Sequence, residues 1–210
     1  MTTKTDNHAE EQAAAQYSSI VRMLAALACD YDRLTELKDE REELTEAVKN
    51  AEAANAERPA DWSALAEKAA RLNHYDKTGE LELPVVQAVI DAKQNLTQWE
   101  ADNAEELAEL EDAAGECTDE DEARQIIQED PLEVQVRSDW TNPGDPLEAG
   151  EFMILLCTGG PAVRIVGELN RGEPCRAWLE YQDWGTGWTQ WFGASSDTLC
   201  KYAANFFFGE

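Results

Sequence analysis

The chain has 210 residues and a formal net charge of −27, from 44 acidic against 17 basic side chains. That balance sets it against nucleic acid and anionic membrane and draws it to basic surfaces, toward which long-range attraction speeds encounter. A hydrophobic share of 43%, with seven Trp, excludes a wholly disordered acidic tail.

The N-terminal stretch MTTKTDNHAEEQAAA is polar and acidic, unlike a signal peptide, and no run approaches the ~20 apolar residues that span a bilayer. The five Cys (Cys29, Cys117, Cys157, Cys175, Cys200) are odd in number, scattered and without a CxxC pair. A disulfide framework is not expected, and a reducing host-cell cytoplasm fits.

The first predicted helix starts near Ala9 and runs to about Asn55. Tyr17, Ile20, Leu24, Leu27, Tyr31 and Leu34 recur at alternating spacings of three and four, a seam for another helix. The seam then slips to Leu37, Leu44, Val48 and Ala51, which suits a hairpin or bundle better than a strict coiled coil. Pro59 breaks the pattern. A second helix carries Trp62, Leu65, Ala69 and Leu72 on one face, and HYDKTGELELP connects it to a third. Pro84 opens that helix, where a missing N–H costs little, and Gly115 ends it. Its apolar face holds Val85, Val89, Leu96, Trp99, Leu107 and Leu110. Thr118 caps a short fourth helix through Ile127.

After Pro131 the period changes. LEVQVRS alternates as a half-buried strand does, and EFMILLCT, AVRIVGEL and CRAWLEYQDW follow, separated by GGP and NRGEP turns. An antiparallel meander results, closed by a helix in SSDTLCKYAANFFFGE with Leu199, Tyr202, Ala203 and Phe206 toward the sheet. The expected class is α+β: an acidic helical hairpin or bundle over 1–131, then a small antiparallel β-sheet with a C-terminal helix over 132–210. The helical part carries about 33 acids and 12 bases.

The stretch from Trp99 to Asp130 holds fourteen acids and one Arg. On a helix, Asp102, Glu105, Glu109, Asp112 and Glu116 form one stripe, about 140° from the apolar stripe through Leu96, Trp99, Asn103, Leu107 and Leu110. Such a helix buries one side and presents carboxylates on the other. Spread over about 48 Å of helix, the fourteen acids fall about 3.4 Å apart, the phosphate spacing of one DNA strand. Asp119, Glu120, Asp121 and Glu122 extend the run. The Trp-rich segment around Trp178, Trp184, Trp188 and Trp191 reads first as core, with Trp178 and Trp184 opposite Ala177, Leu179 and Tyr181. Its functional reading is an aromatic contact for a protein partner.

Catalytic and metal chemistry find little footing. LCTGGPAVRI lacks both the GxGxxG pattern and the P-loop Lys–Ser/Thr, so it is read as a turn. His8 and His74 sit in no ligand pattern, and DEDE at 119–122 lacks the order of a calcium loop. No enzyme activity, metal or cofactor is expected.

The segment from Leu155 to Phe192 resembles short open reading frames of bacteriophages and plasmids, on the strings GGPAVRI and LEYQDWGT. In charge and size the whole chain resembles acidic anti-restriction and anti-CRISPR proteins of mobile elements, some of which mimic DNA. That resemblance implies a non-enzymatic inhibitor whose partner is a basic DNA-binding protein, such as a Cas effector or restriction nuclease. It implies no direct nucleic-acid or membrane binding. The alternative is a helical interaction or assembly module that binds a partner helix, or a second copy as a homodimer, through Tyr17, Ile20, Leu24 and Leu27.

Overall fold

The computed structural model describes residues 8–56, 84–138, 140–144 and 146–209. The helices are α1 (His8–Leu27), α2 (Tyr31–Ala56), α3 (Pro84–Ala114), α4 (Glu120–Glu129) and α5 (Ser196–Ala203). The strands are β1 (Glu133–Ser138), β2 (Ala149–Cys157), β3 (Ala162–Asn170), β4 (Glu173–Gln182) and β5 (Thr189–Trp191). The expected α+β class is what forms. The helix expected through Trp62, Leu65, Ala69 and Leu72, the HYDKTGELELP connection and His74 lie outside the described residues.

The chain divides into two compact units, residues 1–29 with 113–210 and residues 30–112. These units cross the boundary read from the sequence at residue 131, because α1 and α4 pack with the sheet.

The first unit is an antiparallel five-stranded sheet in the order β1-β2-β3-β4-β5. Alternation sorts its side chains. Phe152, Ile154, Val163, Ile165, Ala177 and Leu179 are buried on one face, while Met153, Val166, Trp178 and Glu180 project from the other. The buried face receives Ala13, Ile20 and Met23 from α1, Ile127 from α4, and Leu199, Tyr202 and Ala203 from α5. Burying each large apolar side chain there contributes about 1.5–3 kcal/mol. Tyr202 is wholly buried, and its hydroxyl donates to Asp130 Oδ2 at 2.6 Å. That bond and burial together hold the phenol well above its ordinary range.

One long first helix does not form. The pattern from Tyr17 to Leu34 is cut at Cys29–Asp30 into α1 and α2. The cause is a cap: Asp30 Oδ1 accepts from the Arg33 N–H at 3.0 Å, satisfying a donor left free at a helix start. The last turn of α1 tightens, with Cys29 N donating to Ala26 O at 3.1 Å. The cap of α4 falls one residue later than expected. Asp119 Oδ1 accepts from Glu122 N at 2.8 Å, and Thr118 instead donates its N–H and hydroxyl to Glu122 Oε2.

α3 keeps its predicted bounds, with Gly115 just past its end at φ 59°, the left-handed conformation that ends many helices. The half-buried strand expected in LEVQVRS is an edge strand instead: Glu133 through Arg137 are all exposed. The short β5, in the Trp-rich segment, adds the other edge.

Candidate acidic interface

α2 and α3 belong to one unit and run antiparallel. Arg33 near the start of α2 meets Glu106 late in α3, and Glu52 late in α2 meets Lys93 early in α3 at 2.7 Å. Arg41 pairs with Glu100 and Lys38 with Glu111, each at 3.8 Å, and the Trp99 indole N–H donates to Glu40 at 2.9 Å. The Arg33 guanidinium grips Glu106 through both oxygens at 3.0 Å. This fork raises Arg33 above its usual range and holds Glu106 below the ordinary glutamate value. The side chains stay partly solvated, so these pairs set register more than they add stability.

The described part of this unit holds seventeen acids and five bases. Each of the five is already in an ion pair: Arg33, Lys38, Arg41, Lys49 and Lys93. The net charge is therefore carried by carboxylates on the outer sides. On α3, Asp102, Glu105, Glu109 and Asp112 are all exposed. Asp102 accepts from Gln98 Nε2 at 2.9 Å, while Glu105, Glu109 and Asp112 make no ion pair or hydrogen bond among the described residues. Glu100, Glu106 and Glu111, on the side toward α2, take the cations. The helical period thus turns Glu100, Glu106 and Glu111 toward α2 and its cations, and Asp102, Glu105, Glu109 and Asp112 outward, without ion pairs among the described residues.

Sequence reasoning missed a second row. Asp32, Glu36, Asp39, Glu43 and Glu46 recur on α2 at spacings of four, three, four and three, and all are exposed. The same spacing that marked α3 was there to be read. Glu36 and Glu46 lie beside Arg33 and Lys49 at 3.4 Å; Asp32, Asp39 and Glu43 have no such partner among the described residues. Each helix turns its row away from the other, so the pair carries one anionic rail on each outer side. The described part's net charge of −12 along about 40 Å of helix gives one charge per about 3.3 Å, near the density of a single DNA strand.

The rest of the predicted acidic site belongs to the other unit. Glu116 and Asp121 are exposed. Asp119 caps α4, Glu120 pairs with Arg124, and Glu122 accepts from Thr118, whose bonds hold its carboxyl below the usual range. Three of these four consecutive carboxylates build the start of a helix.

The aromatic set is brought together only in part: Trp178 and Trp188 both meet the Arg164–Glu180 ion pair, while Trp184 and Trp191 lie elsewhere. Trp178 is half-buried on the sheet face away from α1, donating to Glu180 at 3.0 Å, and Trp188 lies under the Arg164 guanidinium at 4.0 Å. Trp191 packs on the opposite face, its ring 5.6 Å from Tyr17, within the core. Trp184 is exposed and lies against Gly160, whose φ of 98° and absent Cβ leave room for the indole.

Tyr17, Ile20, Leu24 and Leu27 all pack into or against the core of their own sheet. Among the described residues no group of three or more His, Cys, Asp or Glu side chains is placed to hold a metal ion, and no helix is long and apolar enough to cross a membrane. Burial raises the Cys157 and Cys200 thiols, the direction opposite to that of an activated thiolate. No family model matches the chain, and no curated protein or solved structure is similar to it.

Proposed function

We propose that the protein is a non-enzymatic inhibitor that mimics DNA, laying the acidic faces of α2 and α3 into the basic groove of a bacterial DNA-binding defence enzyme, a Cas effector or restriction nuclease. One observation carries this reading: every described cation of the α2–α3 unit is spent on a pair, while Asp32, Asp39 and Glu43 on α2 and Glu105, Glu109 and Asp112 on α3 have no ion-pair partner among the described residues. A helix kept acidic for solubility alone has no need to sort its acids this way. Like-charge neighbours four apart cost stability by roughly 0.2–0.5 kcal/mol each, and their retention in rows favours a cationic counterpart.

Inhibition works by occlusion without turnover. Lys and Arg side chains that ordinarily hold phosphates close on Glu105, Glu109 and Asp112, and DNA loses its place. The contacts are charge pairs, so encounter is fast at low salt and binding falls as salt rises. The helix-pairing alternative has less support, because its seam is occupied by the protein's own core.

The test is competition. The full chain is titrated into preformed complexes of duplex DNA with purified Cas effectors and restriction nucleases, and released DNA is followed by mobility shift at low and high salt. Release from one class of enzyme, weakened by salt, is the expected result. Absence of release from every enzyme, or release indifferent to salt, overturns the proposal.

A further inference from the structure

The two edges of the sheet are unlike. β5 is three residues long, short enough to protect itself, whereas β1 runs six residues and is exposed from Glu133 to Arg137. Long exposed edges are templates for another strand, and proteins blunt them with charge, Pro or brevity. β1 carries charge, but of both signs and placed symmetrically. In Glu133-Val134-Gln135-Val136-Arg137 an acid and a base lie equally far from the central Gln135, with a Val on each side between.

The register places these side chains. Glu133, Gln135 and Arg137 stand opposite Leu155, Met153 and Glu151, on the sheet face away from α1. Val134 and Val136 stand opposite Ile154 and Phe152, on the core face, yet remain 38% and 49% exposed. Pairing is regular from Glu133 to Arg137 and shifts only after Arg137, so the regular stretch is itself centred on Gln135.

We infer that β1 is the interface of a two-fold symmetric dimer, in which a second copy's β1 adds antiparallel about Gln135 to make one ten-stranded sheet. In that register Glu133 faces the second copy's Arg137 in both directions, Gln135 faces its own counterpart, and each Val134 meets a Val136. Every cross-strand pair is then favourable or neutral, and directly opposed like charges are absent. Such an interface is isologous, so a single strand supplies both halves of the complementarity. Arg137 already pairs with Glu151 in its own chain, and Glu133 accepts from Gln135 at 2.6 Å, so both charges are held near the edge. Opposing the dimer is the repulsion between two chains of −27 each, so added salt strengthens this association while weakening binding to a basic enzyme.

The experiment is sedimentation of the full chain as a function of concentration and salt, with circular dichroism to confirm folding. Wild type forms a dimer that tightens with salt. E133R and R137E each weaken it, by about tenfold in dissociation constant, because two attractive pairs become two repulsive ones. An equimolar mixture of E133R and R137E restores a dimer, since the two variants complement each other across the same register, and the double variant E133R/R137E dimerises alone. A wild type that stays monomeric at every concentration and salt overturns the inference. So does a dimer that E133R and R137E leave intact, or a mixture of the two that fails to pair.

Discussion

Arg33 and Glu106 lock α2 to α3 through a two-pronged contact, Nε to Oε1 and Nη2 to Oε2, both 3.0 Å long. The pair fixes which acids of α3 turn inward and, by helical period, which turn out. Its pH dependence has a definite sign. Glu106 titrates below an ordinary glutamate when folded, so its contribution is present above the unfolded value, roughly pH 4, and is lost as pH falls through the folded value. Thermal melts should place Glu106→Gln below wild type at neutral pH, with the gap closing as the solution is acidified. A gap independent of pH would show that the carboxylate's charge plays no part.

Tyr202 gives the opposite sign at the other end of the scale. Its phenol is raised by burial and by Asp130, so the stability it confers is complete below the unfolded value, about pH 10, and fades as pH rises beyond it. Tyr202→Phe should cost about 1–2 kcal/mol at neutral pH in urea titrations, the worth of a hydrogen bond to a half-exposed carboxylate. The loss should shrink in alkali. A Phe variant as stable as wild type at pH 7 would remove Asp130 from the account of the core.

The assignment of α1 to the sheet rests on Ile20, which is wholly buried among β-strand and α5 side chains. Ile20→Ala should destabilise the sheet unit by about 2–5 kcal/mol. Tyr17 and Trp191 touch across the same contact, so the early unfolding should register in tryptophan emission. If Ile20→Ala leaves the sheet transition in place, α1 does not belong to that core.

Gly160 supports Trp184. A Cβ there would overlap the indole, and its φ of 98° strains any other residue. Gly160→Ala should cost about 1–2 kcal/mol and expel the ring, shifting the quenching of Trp184 by iodide, read in a Trp140→Phe background. Unchanged quenching and stability would refute this close approach.

Much of this was legible where pattern and punctuation agree. Pro84 and Gly115 bracket α3, strict alternation marks β2 to β4, and the spacing of Leu199, Tyr202 and Ala203 places α5 on the sheet. The break at Asp30 was not, because Tyr31 and Leu34 continue the apolar spacing of α1 while one cap starts a new helix. The exposure of β1 was hidden too: alternation reports a strand but not whether it lies at the edge. The acid row on α3 could be read from spacing alone. Its separation from an inner, paired set could not, since that depends on which residues of α2 stand opposite, a tertiary fact.

The central claim is that position in the outer row, and not total charge, matters. Two triple variants change the net charge equally: Glu105→Lys/Glu109→Lys/Asp112→Lys on α3, and Glu129→Lys/Glu148→Lys/Glu173→Lys, all exposed, in the sheet unit. The measurement is their half-inhibitory concentration against DNA binding by whichever enzyme the wild type displaces from DNA in the competition test. The account predicts at least about a tenfold loss of inhibition for the α3 set, in line with the loss of two or three desolvated charge contacts, and a small change for the sheet set. Equal losses from both, or none from the α3 set, would contradict it.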